Sequence, residues 1–268
     1  MARFITQMFF FFLLTTMSIS VGGQGAAPAA GMFSAAEILE KNLIASGGLE
    51  AHQRMQSYYA RGDFGVTLDH PQGHFSFSYK APSSDLLEMK NDFAGIKPEW
   101  QGTICTGRRK GERFSKCSPG LPANTGFASS LIGIPSLSMG VMEEDWLSLL
   151  QWDASSRYQQ IVLIGQEKID KKLAYAVEFT PGEGDPVVRY YDAETFLLVG
   201  MDQVQRFRGK DNEAAVVYRV RSIFRNYRDQ DGLKLPRVIA VKMGRDDLLF
   251  GVTKIQPNAK IDDSVFRY

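Results

Sequence analysis

Three groups of residues carry chemistry beyond packing: the histidines, the two cysteines and a run of arginines. His70 and His74 stand four positions apart, the spacing that sets two ligands on one face of a helix above a metal ion. Pro71 and Gly73 lie between them, so the segment reads as a turn flanked by two rings, and no metal site is expected. His52, in a short helical turn, reads as a surface residue. Cys105 and Cys117 flank Gly107-Arg108-Arg109-Lys110-Gly111, which reads as a turn, so a hairpin brings them across from each other within bridging range. In an oxidising compartment that arrangement predicts a disulfide adding on the order of 3 kcal/mol; the alternative is two inert thiols. Neither cysteine has the CxxC spacing or the nearby histidine of a reactive thiol. Arg206, Arg208, Arg219, Arg221, Arg225 and Arg228 gather on two strand segments read as neighbours. Either they form an outer face where arginines pair with local acids, or they make a docking strip for an anionic headgroup or partner protein, with Arg219 and Arg221 as its residues. The mature chain contains no GxSxG, HExxH, GxGxxG or GxxxxGK[ST] motif. Glu143-Glu144-Asp145 read as the solvated start of a helix. Nothing here supports an enzyme, and no catalytic residue or cofactor is expected.

A second pattern is apolar. Phe64, Val66, Phe75, Phe77, Tyr79, Val177 and Phe179 occupy one phase of alternating segments. Such a stripe forms either a packed core, the usual fate of alternation, or the wall of a cavity.

The elements that position these residues follow from periodicity. Ser34-Ala35-Ala36-Glu37 is a capping box; Ile38, Leu39 and Leu43 then recur at helical spacing, and Gly47-Gly48 stops the run. From Ser57 the period becomes two. The first strand alternates from Tyr58 to Leu68 and the second from Phe75 to Ala81, joined by the turn His70-Pro71-Gln72-Gly73. Further strands are read at 86–91, 102–106, 112–116, 160–165, 174–180, 187–191, 197–208, 214–227, 235–243 and 248–256. Turns as short as Asp192-Ala193-Glu194-Thr195 and Asp229-Gln230-Asp231-Gly232 force neighbouring strands to pair antiparallel. The stretch from about 119 to 156 breaks this rhythm. Leu137, Met139, Met142 and Trp146 are among its apolar side chains, and it reads as one or two helices lying over a face of the sheet.

Composition sets the class. The chain has 268 residues, 44% of them hydrophobic and 23% charged, which is enough for one sizeable core. Lys and Arg number 31 against 30 Asp and Glu, a neutral balance that argues against binding nucleic acid. Arg3 followed by the apolar run Met8 to Leu14 and a small-residue stretch describes a secretory signal peptide, expected at 1–26 and too short in its apolar core to span a bilayer. Residues 27–33 are expected to be flexible and 34–268 to form one domain. No cysteine stands at the cleavage zone, so the mature protein is expected in the periplasm, soluble and without a lipid anchor.

Asp231-Gly232-Leu233-Lys234-Leu235-Pro236 after Tyr227-Arg228, and Asn258 to Phe266 at the end, resemble the C-terminal signature of outer-membrane lipoprotein-sorting-like proteins of the lipoprotein carrier (LolA/LolB) superfamily. The segments Gly165 to Ile169, Ala174 to Glu178 and Tyr190 to Val199 are similar to paired strands of those proteins, and Glu37 to Leu49 followed by Arg61-Gly62 is similar again. Residues 91–156 follow no pattern of the family. The resemblance implies an α+β, mostly β fold: one curved antiparallel sheet of about 11 strands, an open half-barrel wrapped around helices that cover its concave face. It implies an apolar cavity for acyl chains between sheet and helices, lined by Phe64, Val66, Phe75, Phe77, Tyr79, Leu137, Met139, Met142, Trp146, Val177 and Phe179. Each buried methylene of a guest chain contributes roughly 0.8 kcal/mol there. The expected function is a periplasmic carrier or binder of lipid or lipoprotein acyl chains, acting as a monomer, with inner- or outer-membrane envelope proteins as further partners. The alternative is an envelope interaction module with a filled core.

Overall fold

The computed structural model describes residues 33–81, 84–91, 102–109, 112–117, 149, 158–207, 216–243 and 246–266. The expected signal peptide and, apart from Leu149, the expected lid at 119–156 lie outside the described residues.

The first helix, α1 (Ala35–Ala45), begins where its capping box dictates. The Ser34 hydroxyl accepts from the Glu37 backbone N–H at 3.2 Å, and the Glu37 carboxylate accepts from the Ser34 N–H at 2.7 Å. Ile38 is the residue of α1 that is fully buried. A Ser34→Ala variant is expected to lose about 1 kcal/mol, read as a lower midpoint in thermal unfolding. The helix ends because Gly47 turns to a φ of 136°, and a side chain there would come within 2.2 Å of the Gly232 carbonyl oxygen. The second helix, α2 (Gly48–Arg54), follows at once.

Among the described residues fourteen strands follow: β1 (Ser57–Gly65), β2 (Gly73–Lys80), β3 (Ser84–Asn91), β4 (Gly102–Arg109), β5 (Glu112–Cys117), β6 (Tyr158–Ile169), β7 (Lys172–Pro181), β8 (Val187–Asp192), β9 (Leu198–Phe207), β10 (Val216–Arg225), β11 (Arg228–Gln230), β12 (Leu233–Leu235), β13 (Val238–Met243) and β14 (Asp246–Pro257). Twelve of them make one open antiparallel sheet in the order β5-β4-β3-β2-β1-β14-β13-β10-β9-β8-β7-β6. It consists of two meanders, β1 to β5 and β6 to β10, stitched by the hairpin β13–β14, whose outer sides pair with β10 and β1. The sheet curves as a half-barrel that does not close.

Local chemistry explains the turns. Asp170 and Lys171 both take positive φ (48° and 70°) between paired Ile169 and Lys172, the two-residue hairpin whose twist matches the strands it joins. After β8 the Asp192 carboxylate accepts from the Glu194 and Thr195 N–H groups at 3.1 and 2.8 Å and so folds the next turn.

Four expectations are corrected. The turn Asp229 to Gly232 does not join two strands of the main sheet but lies in a separate hairpin of β11 and β12, while the main sheet, expected at about 11 strands, has twelve among the described residues. The run expected to continue to Tyr227 stops at Arg225 because Asn226 takes a φ of 57°. The first strand ends at Gly65, so Val66 lies beyond the sheet and is 48% exposed. In the β4–β5 hairpin Cys105 pairs with Lys116 and Cys117 with Ile104, one residue off the opposed register on which the expected disulfide depended.

His52 is also corrected, from surface to core. It is 6% exposed, with Nε2 2.9 Å from the Ser46 hydroxyl. Burial pushes its pKa below the usual imidazole value. The folded chain therefore holds a neutral ring while the unfolded chain takes up a proton as pH falls through about 6.5, so this contribution to stability is present above that pH and lost below it. Urea unfolding is expected to give a higher stability at about pH 7.5 than at about pH 5, with a smaller difference in His52→Gln.

The sheet's inner face carries the main core. Tyr58, Tyr79 and Asp85 align across β1, β2 and β3, as do Ala60, Phe77 and Leu87. Across the seam Ala60 pairs with Ile255 and Phe64 with Phe250 of β14, Phe250 pairs in turn with Ile239 of β13, and Val177 and Phe179 of β7 lie in the same core. With Ile38 of α1 and Ala51 of α2 they form one hydrophobic cluster. The outer face has a smaller cluster around Ile169, Ala176, Tyr190 and Ile223, and Phe266 in the terminal 3-10 turn Asp263–Phe266 covers Leu86.

Candidate functional site

The inner wall gathers most of the expected cavity residues. Phe77, Val177 and Phe179 are 0% exposed, and Phe64, Phe75 and Tyr79 are buried beside them in one cluster. Alternation is the cause: on β1, β2 and β7 these residues share the phase that faces α1 and α2. Val66 does not join them. Leu137, Met139, Met142 and Trp146 lie outside the described residues; Leu149, from the same stretch, is helical and packs against the cluster.

Two aromatic groups mark the wall. Near the middle of the sheet Phe250 stacks on Phe64 at 5.8 Å and meets Phe75 edge-on at 5.5 Å. Towards the β6 edge Tyr158 meets Phe179 edge-on at 5.1 Å.

The dry phase also carries polar groups that the sequence reading passed over. Asp85, Arg189 and Gln203 are each at least nine-tenths buried. Arg189 pairs with Val177 on β7 and Met201 on β9, so its side chain shares their inner face. Its guanidinium carbon lies 4.3 Å from the Phe179 ring centroid and 5.7 Å from that of Tyr158, a cation set over two rings. Nη2 donates to the Tyr158 hydroxyl at 3.2 Å, and Arg189 also hydrogen-bonds the Tyr191 hydroxyl. Burial pushes the Tyr191 pKa up, and the neighbouring guanidinium offsets part of that rise. The signal was present in Val187-Val188-Arg189-Tyr190-Tyr191, where a charge occupies the same phase as Val187 and Tyr191.

The outer face is different. Arg221 grips Asp202 with Nε at 2.6 Å and Nη2 at 2.7 Å, while Nη1 reaches Glu167 at 2.7 Å and Nη2 the Tyr190 hydroxyl at 3.1 Å. Arg225 Nε donates to Asp170 at 2.7 Å. Both arginines thus pair with acids of the neighbouring strands and turn, whereas Arg219 is exposed. A cleft of about 320 Å³ lies at the turn end of β6 to β10, lined in part by Asp170, Lys172, Asp192 and Arg225. His74 pairs with Asp63 at 2.6 Å and His70 is exposed. Among the described residues no three His, Cys, Asp or Glu side chains are placed to hold a metal ion.

No family model matches the sequence, and no curated protein is similar to it. Solved structures are similar in fold. A DUF1329 family protein from Desulfovibrio piger is 14% identical, with 87% of this chain and 97% of that one covered at a TM-score of 0.47. A LolA superfamily protein from Nitrosomonas europaea is 12% identical, with 88% and 99% covered at 0.48. An outer membrane lipoprotein-sorting protein domain from Vibrio parahaemolyticus is 10% identical, with 86% and 95% covered at 0.45. At these identities no ligand carries over, and the functional reading rests on this chain's own residues.

Proposed function

We propose that this chain is an exported, envelope-located binder or carrier of lipid or acylated molecules, not an enzyme, and that it holds apolar chains against the inner wall of the half-barrel. One observation carries the reading: an open twelve-stranded sheet presents a continuous aromatic and aliphatic inner face, from Phe75 and Phe77 through Phe250 to Val177 and Phe179. A surface of that extent is covered by the chain's own helices, by a guest, or by both. The leader-like first segment supports export.

The competing reading is an interaction module with a solid interior. Full burial of Phe77, Phe179 and Phe250 favours it. Titration of the detergent-free mature protein with a fluorescent fatty acid separates the two. The carrier reading expects saturable uptake at about one probe per chain, with emission shifted to that of an apolar site. Absence of uptake at every probe concentration contradicts it and leaves the interaction module.

A further inference from the structure

We propose that the cleft at the turn end of β6 to β10 binds a free amino acid with an apolar side chain, its ammonium on Asp192 and its carboxylate on Arg225. The inference does not rest on acyl chains occupying the inner wall.

The cleft exists because the β6–β7 turn folds over the sheet. Ile169 lies on Gly200 of β9, where a Cβ would come within 3.2 Å of its Cγ2. That crossing brings Asp170 to Arg225 of β10, whose Nε donates to it at 2.7 Å. It leaves a cleft of about 320 Å³ lined by the β6–β7 turn, the β8–β9 turn and the end of β10. Ile169, Val199 and Ile223 give the cleft an apolar floor, continuous with the outer-face cluster. Ligand sites run upward from roughly 300 Å³, so this one suits a single small molecule.

Asp192 carries the inference. It is 3% exposed, and the N–H groups of Glu194 and Thr195 and the Thr195 hydroxyl all donate to its Oδ1. Oδ2 accepts from none of the described residues, although the side chain lines the cleft. Burial raises the Asp192 pKa, but the donors of Thr195 and Glu194 and the charge of Lys172 outweigh this and hold the carboxyl below its usual range. A buried carboxylate oxygen without a donor is costly, and an ammonium in the cleft supplies one. Arg225 offers the opposite charge: Asp170 engages only its Nε, so both Nη groups remain to hold a carboxylate. Among the described residues the charged lining is Asp170, Asp192, Lys172 and Arg225, which sums to zero. A zwitterion meets both signs there at once, whereas a simple anion or cation meets a like charge beside each partner. The apolar floor then selects the side chain.

Amide NMR spectra of the mature protein test this with ligands that differ by one group. L-Leucine is expected to give saturable shifts at the Thr195 and Asn226 amides, unchanged by saturating oleate. N-acetyl-L-leucine, which lacks the ammonium, and L-leucinamide, which lacks the carboxylate, are each expected to bind about tenfold or more weakly. Glycine, which lacks the side chain, is expected to weaken by about as much. Asp192→Asn keeps the Oδ1 acceptor of the turn and replaces Oδ2 by an amide donor. It is expected to bind leucine about tenfold more weakly while N-acetyl-leucine binds as before. In Arg225→Gln leucine and leucinamide are expected to bind alike, and where that variant does not fold Asp192→Asn decides. Equal binding of leucine and its two capped forms overturns the zwitterion, as does tighter binding of N-acetyl-leucine than of leucine. Absence of saturable shifts at Thr195 and Asn226 with leucine, or their loss on adding oleate, overturns the site and leaves the acyl-binding reading to its own titration.

Discussion

Phe250→Ala is expected to lower the unfolding free energy by about 3–5 kcal/mol, the cost of emptying a ring-sized volume in a close-packed core. Phe250 is 0% exposed, pairs with Phe64 on β1 and Ile239 on β13, and touches the rings of both Phe64 and Phe75. It therefore loses two aromatic contacts, each worth about 0.5–1.5 kcal/mol beyond area burial, at the seam where β14 joins the two meanders. The midpoint of thermal unfolding should fall by roughly 10 °C, and Phe250→Leu, which refills most of the volume, should lose well under half as much. A loss below about 1 kcal/mol in Phe250→Ala would mean that the ring borders open space instead of packed neighbours.

The second large effect is at Gly62. A Cβ there would lie 1.9 Å from the Gly251 carbonyl oxygen and 2.9 Å from Cε1 of Phe75. The position sits at the irregularity where the β1–β14 register slips between Arg61 and Gly62. The Phe75 contact is with a side chain, but the Gly251 carbonyl is backbone and moves only if β14 moves. Gly62→Ala is expected to cost about 3 kcal/mol, at the upper end of ordinary overpacking, and Phe75→Leu is not expected to rescue it. Denaturant unfolding of the single and double variants measures both. Wild-type stability in Gly62→Ala would contradict the close approach of β1 and β14 at this position.

Much of this architecture was legible because its signals were local and redundant. The capping box at Ser34 and the Gly47 stop fixed α1, and period-two alternation found β1, β2 and β7 with Phe64, Phe77 and Phe179 on the buried side. Alternation also misled. It continues in sequence through Val66 to Leu68 although pairing ends at Gly65; Leu68 is half-buried because it lies over Gly251, not because it belongs to the strand. The hairpin of β11 and β12 escaped because three residues are too few for a period to show. His52 escaped because its burial comes from α2 packing on α1 and β12, a contact that no local pattern announces. Cys105 and Cys117 were placed one residue out of register because sequence shows that a turn exists before it shows the turn's length. Arg189 is a different case. Its phase marked it as inward-facing, and only the fold showed that the inside there is Phe179, Tyr158 and Tyr191.

The measurement closest to the central claim is native mass spectrometry of the mature protein taken from its own envelope without detergent. Occupation of the inner wall by an acyl guest predicts a population heavier than the chain by the mass of one lipid or fatty acid, stripped on extraction with organic solvent and restored by adding oleate. A single species at the mass of the chain alone, unchanged by oleate, would contradict it.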